Sequence, residues 1–153
     1  MEHNNLEWID SHHIIGDDVI RQVEQELAVT FPPDFVEYAK RYHGGRPTIN
    51  SFDYIDENNN LITNGFEVLI SFDLNYKWNI VRQNKQPPEE LPKGVIIFGI
   101  NGGGGYMCFD YRSRKEYPPI VFWSHDSFSA ETVIPLADTF LDFLGMLYED
   151  SDD

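Results

Sequence analysis

Apolar residues recur at helical spacing near both ends of the chain and alternate in strand fashion between them. In "DDVIRQVEQELAV" (Asp17–Val29), Ile20, Val23 and Leu27 fall on one face, because residues three and four apart share a helix face. Asp17 and Asp18 stand at its start, where the helix dipole favours negative charge. "TFPPDFVEYAKRYHGG" (Thr30–Gly45) predicts a second helix. Pro33 suits its first helical position, which needs no N–H. Phe35, Val36, Ala39 and Tyr42 form the stripe to be buried. Lys40, Arg41 and His43 occupy the last turn, and Gly44 or Gly45 supplies a left-handed cap. The two helices read as a packed pair.

The middle of the chain changes period. "SFDYID", "ENNN" and "LITNGFEVLISFD" read as strands broken by turns, with Asn64-Gly65 a strong hairpin signal. "LNYKWNIVRQNKQ" (Leu74–Gln86) predicts a short helix with Tyr76, Ile80 and Val81 or Trp78 facing inward, ended by the loop "PPEELPKG". "VIIFGI", "YMCFDYR" and "IVFWSHD" predict a three-strand meander of β-branched and aromatic residues. "ETVIPLA" adds a strand, with Pro135 favouring an edge or the strand's end. "DTFLDFLGMLYE" (Asp138–Glu149) is an amphipathic helix with Asp138 as N-cap and Phe140, Phe143, Leu144 and Leu147 as its stripe. Helices at the ends and strands between them predict an α+β fold. The expected architecture is a central antiparallel or mixed sheet, with the N-terminal helix pair and the C-terminal helix packed on it. Without repeats or linkers, residues 1–153 read as a single domain, with a core over about 17–149 and an acidic tail at 149–153.

Charge sharpens this picture. The 153 residues carry 26 acidic and 11 basic side chains, a net charge of −15. Such a field repels nucleic acid and anionic membranes and attracts basic partners. Lys115 is the last basic residue. The lone Cys108 cannot pair within the chain, and neither a signal peptide nor a membrane-length apolar run is visible. The expected location is cytoplasmic.

The run Gly102–Gly105 raises the question of a phosphate loop. Such a loop requires a Lys and Ser/Thr followed by a helix. Here Tyr106, Met107 and Cys108 follow, at the start of an alternating strand. A turn is the favoured reading, since glycine permits positive φ and close backbone approach. A phosphate-binding enzyme using this loop is the minor alternative. Ser124-His125-Asp126 contains the residue types of a triad, but neighbours on an extended chain face opposite ways. His12 and His13 lack a third ligand at metal-binding spacing and read as a solvated pair. His43 is explained by the helix C-terminus, and Cys108 by the core. "DENNN" (Asp56–Asn60) lacks the glycine and the closing glutamate of a calcium loop. No catalytic, metal or cofactor residues are assigned.

"LPKGVIIFGINGGGGYMCFDYRS" resembles the central signature of the SUKH superfamily, the Smi/Knr-type domains. The matching features are Leu91-Pro92-Lys93-Gly94, Gly99, Gly102–Gly105 and Asp110. "ELAVTFPPDFVEYAKRYHGG" is similar to the family's first block and "LADTFLDFLGMLYE" to its closing helix. The order agrees from about Glu24 to Tyr148. Phe31-Pro32-Pro33 replaces the commoner Leu-Pro, and Thr139 replaces Ser. The resemblance implies a non-enzymatic binding module. Many bacterial members are immunity proteins that neutralise toxin domains, often nucleases; eukaryotic relatives regulate cell-wall synthesis and signalling.

Together, resemblance and charge lead to the expectation of an immunity protein that occludes the cleft of a cognate, basic nuclease toxin. The alternative is an intracellular regulatory scaffold that binds a self protein. Acidic or aromatic positions near strand ends are the candidate partner contacts: Asp53, Asp56, Glu57, Asp73, Tyr76, Trp78, Asp110 and Tyr111. Neither nucleic acid nor a membrane is an expected partner. An exposed edge strand is compatible with a weak homodimer.

Overall fold

The computed structural model describes residues 6–125 and 133–150. In chain order the elements are β1 (Trp8–Ile9), α1 (Asp17–Leu27), α2 (Pro33–Tyr42), β2 (Arg46–Pro47), β3 (Ser51–Ile55), β4 (Leu61–Gly65), β5 (Val68–Leu69), α3 (Ile80–Lys85), β6 (Val95–Asn101), β7 (Gly105–Asp110), β8 (Ile120–Ser124), β9 (Ile134–Ala137) and α4 (Phe140–Met146). The fold is α+β, and its named strand pairs are all antiparallel. Five strands form the main sheet in the order β5-β6-β7-β8-β9, while β1–β2 and β3–β4 form two-stranded ribbons. Pro135 lies on the edge strand β9, opposite Val121.

The first two helices follow their stripes. In α1, Ile20 and Val23 are buried; in α2, Phe35 and Ala39. Ala28 ends α1 in the left-handed region at φ 57°, with its N–H returned to the Glu24 carbonyl. Gly44, at φ +79°, turns the chain after α2 and donates its N–H to Leu69 at 2.7 Å.

Three local expectations are corrected. The ribbon turn lies at residues 56–60, not at Asn64-Gly65. Asp56 Oδ1 accepts from the N–H groups of Asn58 and Asn60, and Asn59 takes φ 66°. Asn64 and Gly65 instead stay in β4, paired with Phe52 and Ser51. The helix expected over residues 74–86 is cut to α3, because Asn79 caps it by accepting from Arg82 N at 3.0 Å. Tyr76 and Trp78, expected to face inward, are therefore left in the preceding turns and are exposed. At α4 the N-cap is Thr139, whose hydroxyl accepts from Asp142 N at 3.1 Å, one residue after Asp138.

Aromatic rings join helices to sheet. Phe35 of α2 lies 4.9 Å from Phe109 and 5.5 Å from Phe98, and 5.1 Å from Phe140 of α4. Phe143 reaches Phe66 and Phe52. Each fully buried ring contributes about 1.5–3 kcal/mol through apolar burial, and ring pairs of this geometry add about 0.5–1.5 kcal/mol. The ribbon β3–β4 joins the same core by its inner face, where Phe52 and Tyr54 pack 5.7 and 5.3 Å from Phe122.

A candidate partner-binding face

The glycine run is a turn. It connects β6 to β7, with Gly104 at φ +97° and its N–H bonded to Asn101 O at 3.2 Å. A Cβ on Gly105 would sit 2.4 Å from Phe122 Cζ. Asn101 links this turn to the ribbon: its side chain accepts from Gly103 N and donates to Gly65 O at 2.7 Å. The run thus serves backbone geometry and close packing. A strand follows it, so the helix end that a phosphate loop needs is missing here.

The histidines have structural partners. His43 is fully buried, not merely a C-terminal cap. Its Nδ1 accepts from Phe72 N at 2.9 Å and its Nε2–H donates to His13 O at 2.7 Å. Burial holds the imidazole below its ordinary range; nearby His12 and His13 push the same way, against the His13 carbonyl and Asp73. His12 is not a solvated residue either. Its Nδ1 lies 2.8 Å from Ser71 Oγ, and Ser71 is itself buried. These contacts fasten the N-terminal segment to the end of α2 and to the loop after β5. The ring of His125 stands 4.7 Å from Trp123, and Asp126 lies outside the described residues. Among the described residues, no group of three or more His, Cys, Asp or Glu could hold a metal ion. No helix among them is long and apolar enough to cross a membrane.

The eight candidate contacts fall in three neighbourhoods. Asp110 ends β7 and Tyr111 follows it. Asp110 is buried and held by Arg112 through a two-bond fork, Nε to Oδ1 at 2.9 Å and Nη2 to Oδ2 at 3.1 Å. Burial pushes its carboxyl up, but the Arg112 bonds and charge outweigh that and hold it below the ordinary range. Tyr111 donates its hydroxyl to Thr30 O at 2.7 Å. It lines a groove of about 870 Å³ with Phe31, Pro32 and Tyr117. Asp73, Tyr76 and Trp78 occupy the loop before α3. There Asp73 Oδ1 accepts from Asn75 N, the Tyr76 ring meets His12 at 4.7 Å, and Trp78 is flanked by Lys77 and Arg82. The setting of Trp78 is thus basic.

The third neighbourhood is the ribbon. Strand alternation sends Phe52 and Tyr54 inward and Asp53 and Ile55 outward. Register sets Thr63 opposite Asp53 and Leu61 opposite Ile55. The outer face therefore carries Asp53, Ile55, Leu61 and Thr63, all exposed. The chain after α4 closes on it. Ser51 and Tyr148 exchange backbone bonds at 3.1 and 3.0 Å, and the Tyr148 hydroxyl donates to Asp53 Oδ1 at 2.6 Å. Thr63 Oγ1 donates to the same oxygen at 2.7 Å. First the Tyr148 bond and then the Thr63 bond hold the Asp53 carboxyl below its ordinary range.

This closure unites two stretches without Lys or Arg, residues 47–76 and 116–153. Asp53, Asp56 and Glu57 come from one, Glu149 and Asp150 from the other. Sequence reasoning found the first three and missed Ile55, Leu61 and Tyr148. The signal available was the break in alternation, where a solvent-facing position of a half-covered ribbon carries an aliphatic side chain.

The α+β architecture and its glycine-turn meander define a compact class of domain. The family model described as SMI1-KNR4 cell-wall, SUKH_6, matches residues 17–144. The chain belongs to this family, within the SUKH superfamily. Comparison with curated proteins gives no match.

Proposed function

We propose that this chain is an immunity-type binding protein. It captures a basic protein toxin, such as a nuclease domain, and blocks its cleft without catalysing a reaction. The observation that carries this reading is the exposed ribbon face, where two basic-free stretches meet in a SUKH-family fold. Family membership supports a binding role. So does the use of Ser71, His12 and His43 in hydrogen bonds that fasten segments together. A net charge of −15 speeds encounter with a cationic partner, and salt weakens that attraction.

The test is affinity capture from the source cell, followed by an activity assay of the captured protein. A basic, toxic partner silenced at one-to-one stoichiometry is the expected result. A non-toxic self protein would overturn the immunity role. It would favour the regulatory scaffold, a reading that the family's "cell-wall" description supports.

A further inference from the structure

The outer face of the β3–β4 ribbon holds an anomaly. Ile55 is 52% exposed and Leu61 68%, although they face each other across the ribbon. A two-stranded ribbon covered on one side should be polar on the other. Elsewhere the aliphatic and aromatic side chains of this region, Phe52, Phe66, Leu69 and Ile70, are buried. Facing each other, the two side chains form an exposed aliphatic strip on the same face as Asp53.

Charge identifies the occupant that suits this strip. Asp53 lies two residues from Ile55 on the same face, roughly 7 Å along the strand. Thr63 and Tyr148 both donate to its Oδ1, which fixes the carboxylate and leaves Oδ2 as the acceptor for an incoming donor. The ribbon and the segment that closes on it contribute no Lys or Arg. An aliphatic floor beside a fixed carboxylate matches one kind of side chain, a cationic head on an apolar stem. Arginine fits best, because its planar fork pairs with carboxylates and its guanidinium is weakly hydrated. A second copy of this chain is a poor occupant, since two such faces would repel.

We propose that the outer face of the β3–β4 ribbon is the docking surface for a basic protein partner. An arginine of that partner lays its stem across Ile55 and Leu61 and pairs its guanidinium with Asp53. The inference rests on the reading that this chain works by binding a cationic protein, and it adds the surface and the recognised side chain.

The first test needs no toxin. The probe is a synthetic peptide of alternating arginine and leucine, titrated into ¹⁵N-labelled protein, with an arginine–glycine peptide of equal charge as control. Shift changes for the first peptide should cluster at residues 53–57, 61–63 and 148–150. The double variant Ile55→Ser/Leu61→Ser should weaken its binding about tenfold and leave the control peptide's binding unchanged. Asp53→Asn should weaken both. Replacing arginine by lysine in the probe should also reduce affinity.

Shifts spread over Asp138, Asp142 and Glu116, or centred on the groove at Tyr111 and Tyr117, would overturn the proposal. So would binding that the double variant leaves intact. Self-association that Ile55→Ser/Leu61→Ser abolishes, read by sedimentation, would assign the face to a second copy and also overturn it. Toxin inhibition that survives the double variant would sink the surface and spare the function. Clustered shifts with no toxic partner captured would support the surface and sink the immunity role.

Discussion

The Tyr148 hydroxyl donates to Asp53 Oδ1 at 2.6 Å across a sequence separation of 95 residues. An O–H···O bond to a carboxylate at this distance is of the strong, charge-assisted kind. It favours the ionised form of Asp53 and raises the phenol of Tyr148. In Tyr148→Phe, the Asp53 carboxyl should titrate at a higher pH than in the native protein, followed by its side-chain ¹³C shift. Thr63→Val should move it in the same direction by less. The sign is fixed by linkage. A carboxyl lowered in the folded state stabilises above its unfolded value of 3.8 and loses that contribution as pH falls through the folded pKa. An Asp53 titration unchanged in Tyr148→Phe would show that the hydrogen bond does not persist in solution.

His43 should make stability depend on pH in a higher range, in the same direction. Its folded pKa lies below the ordinary 6.5 because burial of the ring, aided by nearby His12 and His13, outweighs the bond to the His13 carbonyl. The unfolded state therefore binds more protons, and stability declines as pH drops below 6.5 until the folded pKa is passed. His43→Leu removes both bonds and leaves the buried Phe72 N–H without its acceptor. The cost is about 1–3 kcal/mol at pH 8. Urea unfolding at pH 8, 6.5 and 5.5 should show the gap between native and variant narrowing toward acid. A constant gap would mean that the buried ring does not titrate with unfolding.

The four consecutive glycines should separate cleanly. Gly105→Ala drives a methyl into the Phe122 ring and should cost about 1–3 kcal/mol. Gly104→Ala forces a side chain into φ +97° and should cost a similar amount. At Gly102 the nearest atom to a Cβ is Glu67 Cδ at 3.4 Å, an ordinary contact. Gly102→Ala should therefore change stability by no more than about 0.5 kcal/mol. Thermal melts of the three variants measure the ranking. Equal losses at all three would point to a demand beyond packing and φ.

The stripes of α1, α2 and α4 were readable because each is a local repeat at helical period. Phe35, Ala39, Phe140 and Phe143 are buried as their spacing implies. Where the expectation slipped, a short polar side chain had chosen its backbone partners. Thr139 took the α4 cap from Asp138, Asp56 organised the ribbon turn, and Asn79 started α3 late. Local composition ranks such residues almost equally, so tertiary context decides among them. The candidate face was only half legible for a different reason. Asp53 and Tyr148 lie 95 residues apart in the chain, and charge counts along the chain do not reveal that two basic-free stretches meet. Asp110 shows the converse. A strand-end acid that reads as a surface contact lies buried under the fork of Arg112.

That Arg112–Asp110 pair supports the last prediction. Asp110 makes the pair valuable because its carboxylate is nearly enclosed, with 8% of the side chain exposed. Arg112→Met keeps much of the apolar stem and removes the fork. The carboxylate then faces burial without its main partner, and its pKa should rise above the ordinary range. The cost at pH 7 should be about 1–2 kcal/mol, at the low end because the arginine is 44% exposed and screened by water. The native pair stabilises above 3.8 and is lost as pH falls through the lowered folded pKa. The variant's Asp110 behaves oppositely, becoming neutral and tolerable as the medium turns acidic. The difference in stability between native and Arg112→Met should therefore shrink from pH 7 to pH 4, measured by denaturant unfolding at both. A difference that grows toward acid would mean that Arg112 acts through packing of its stem, not through the charge it brings to Asp110.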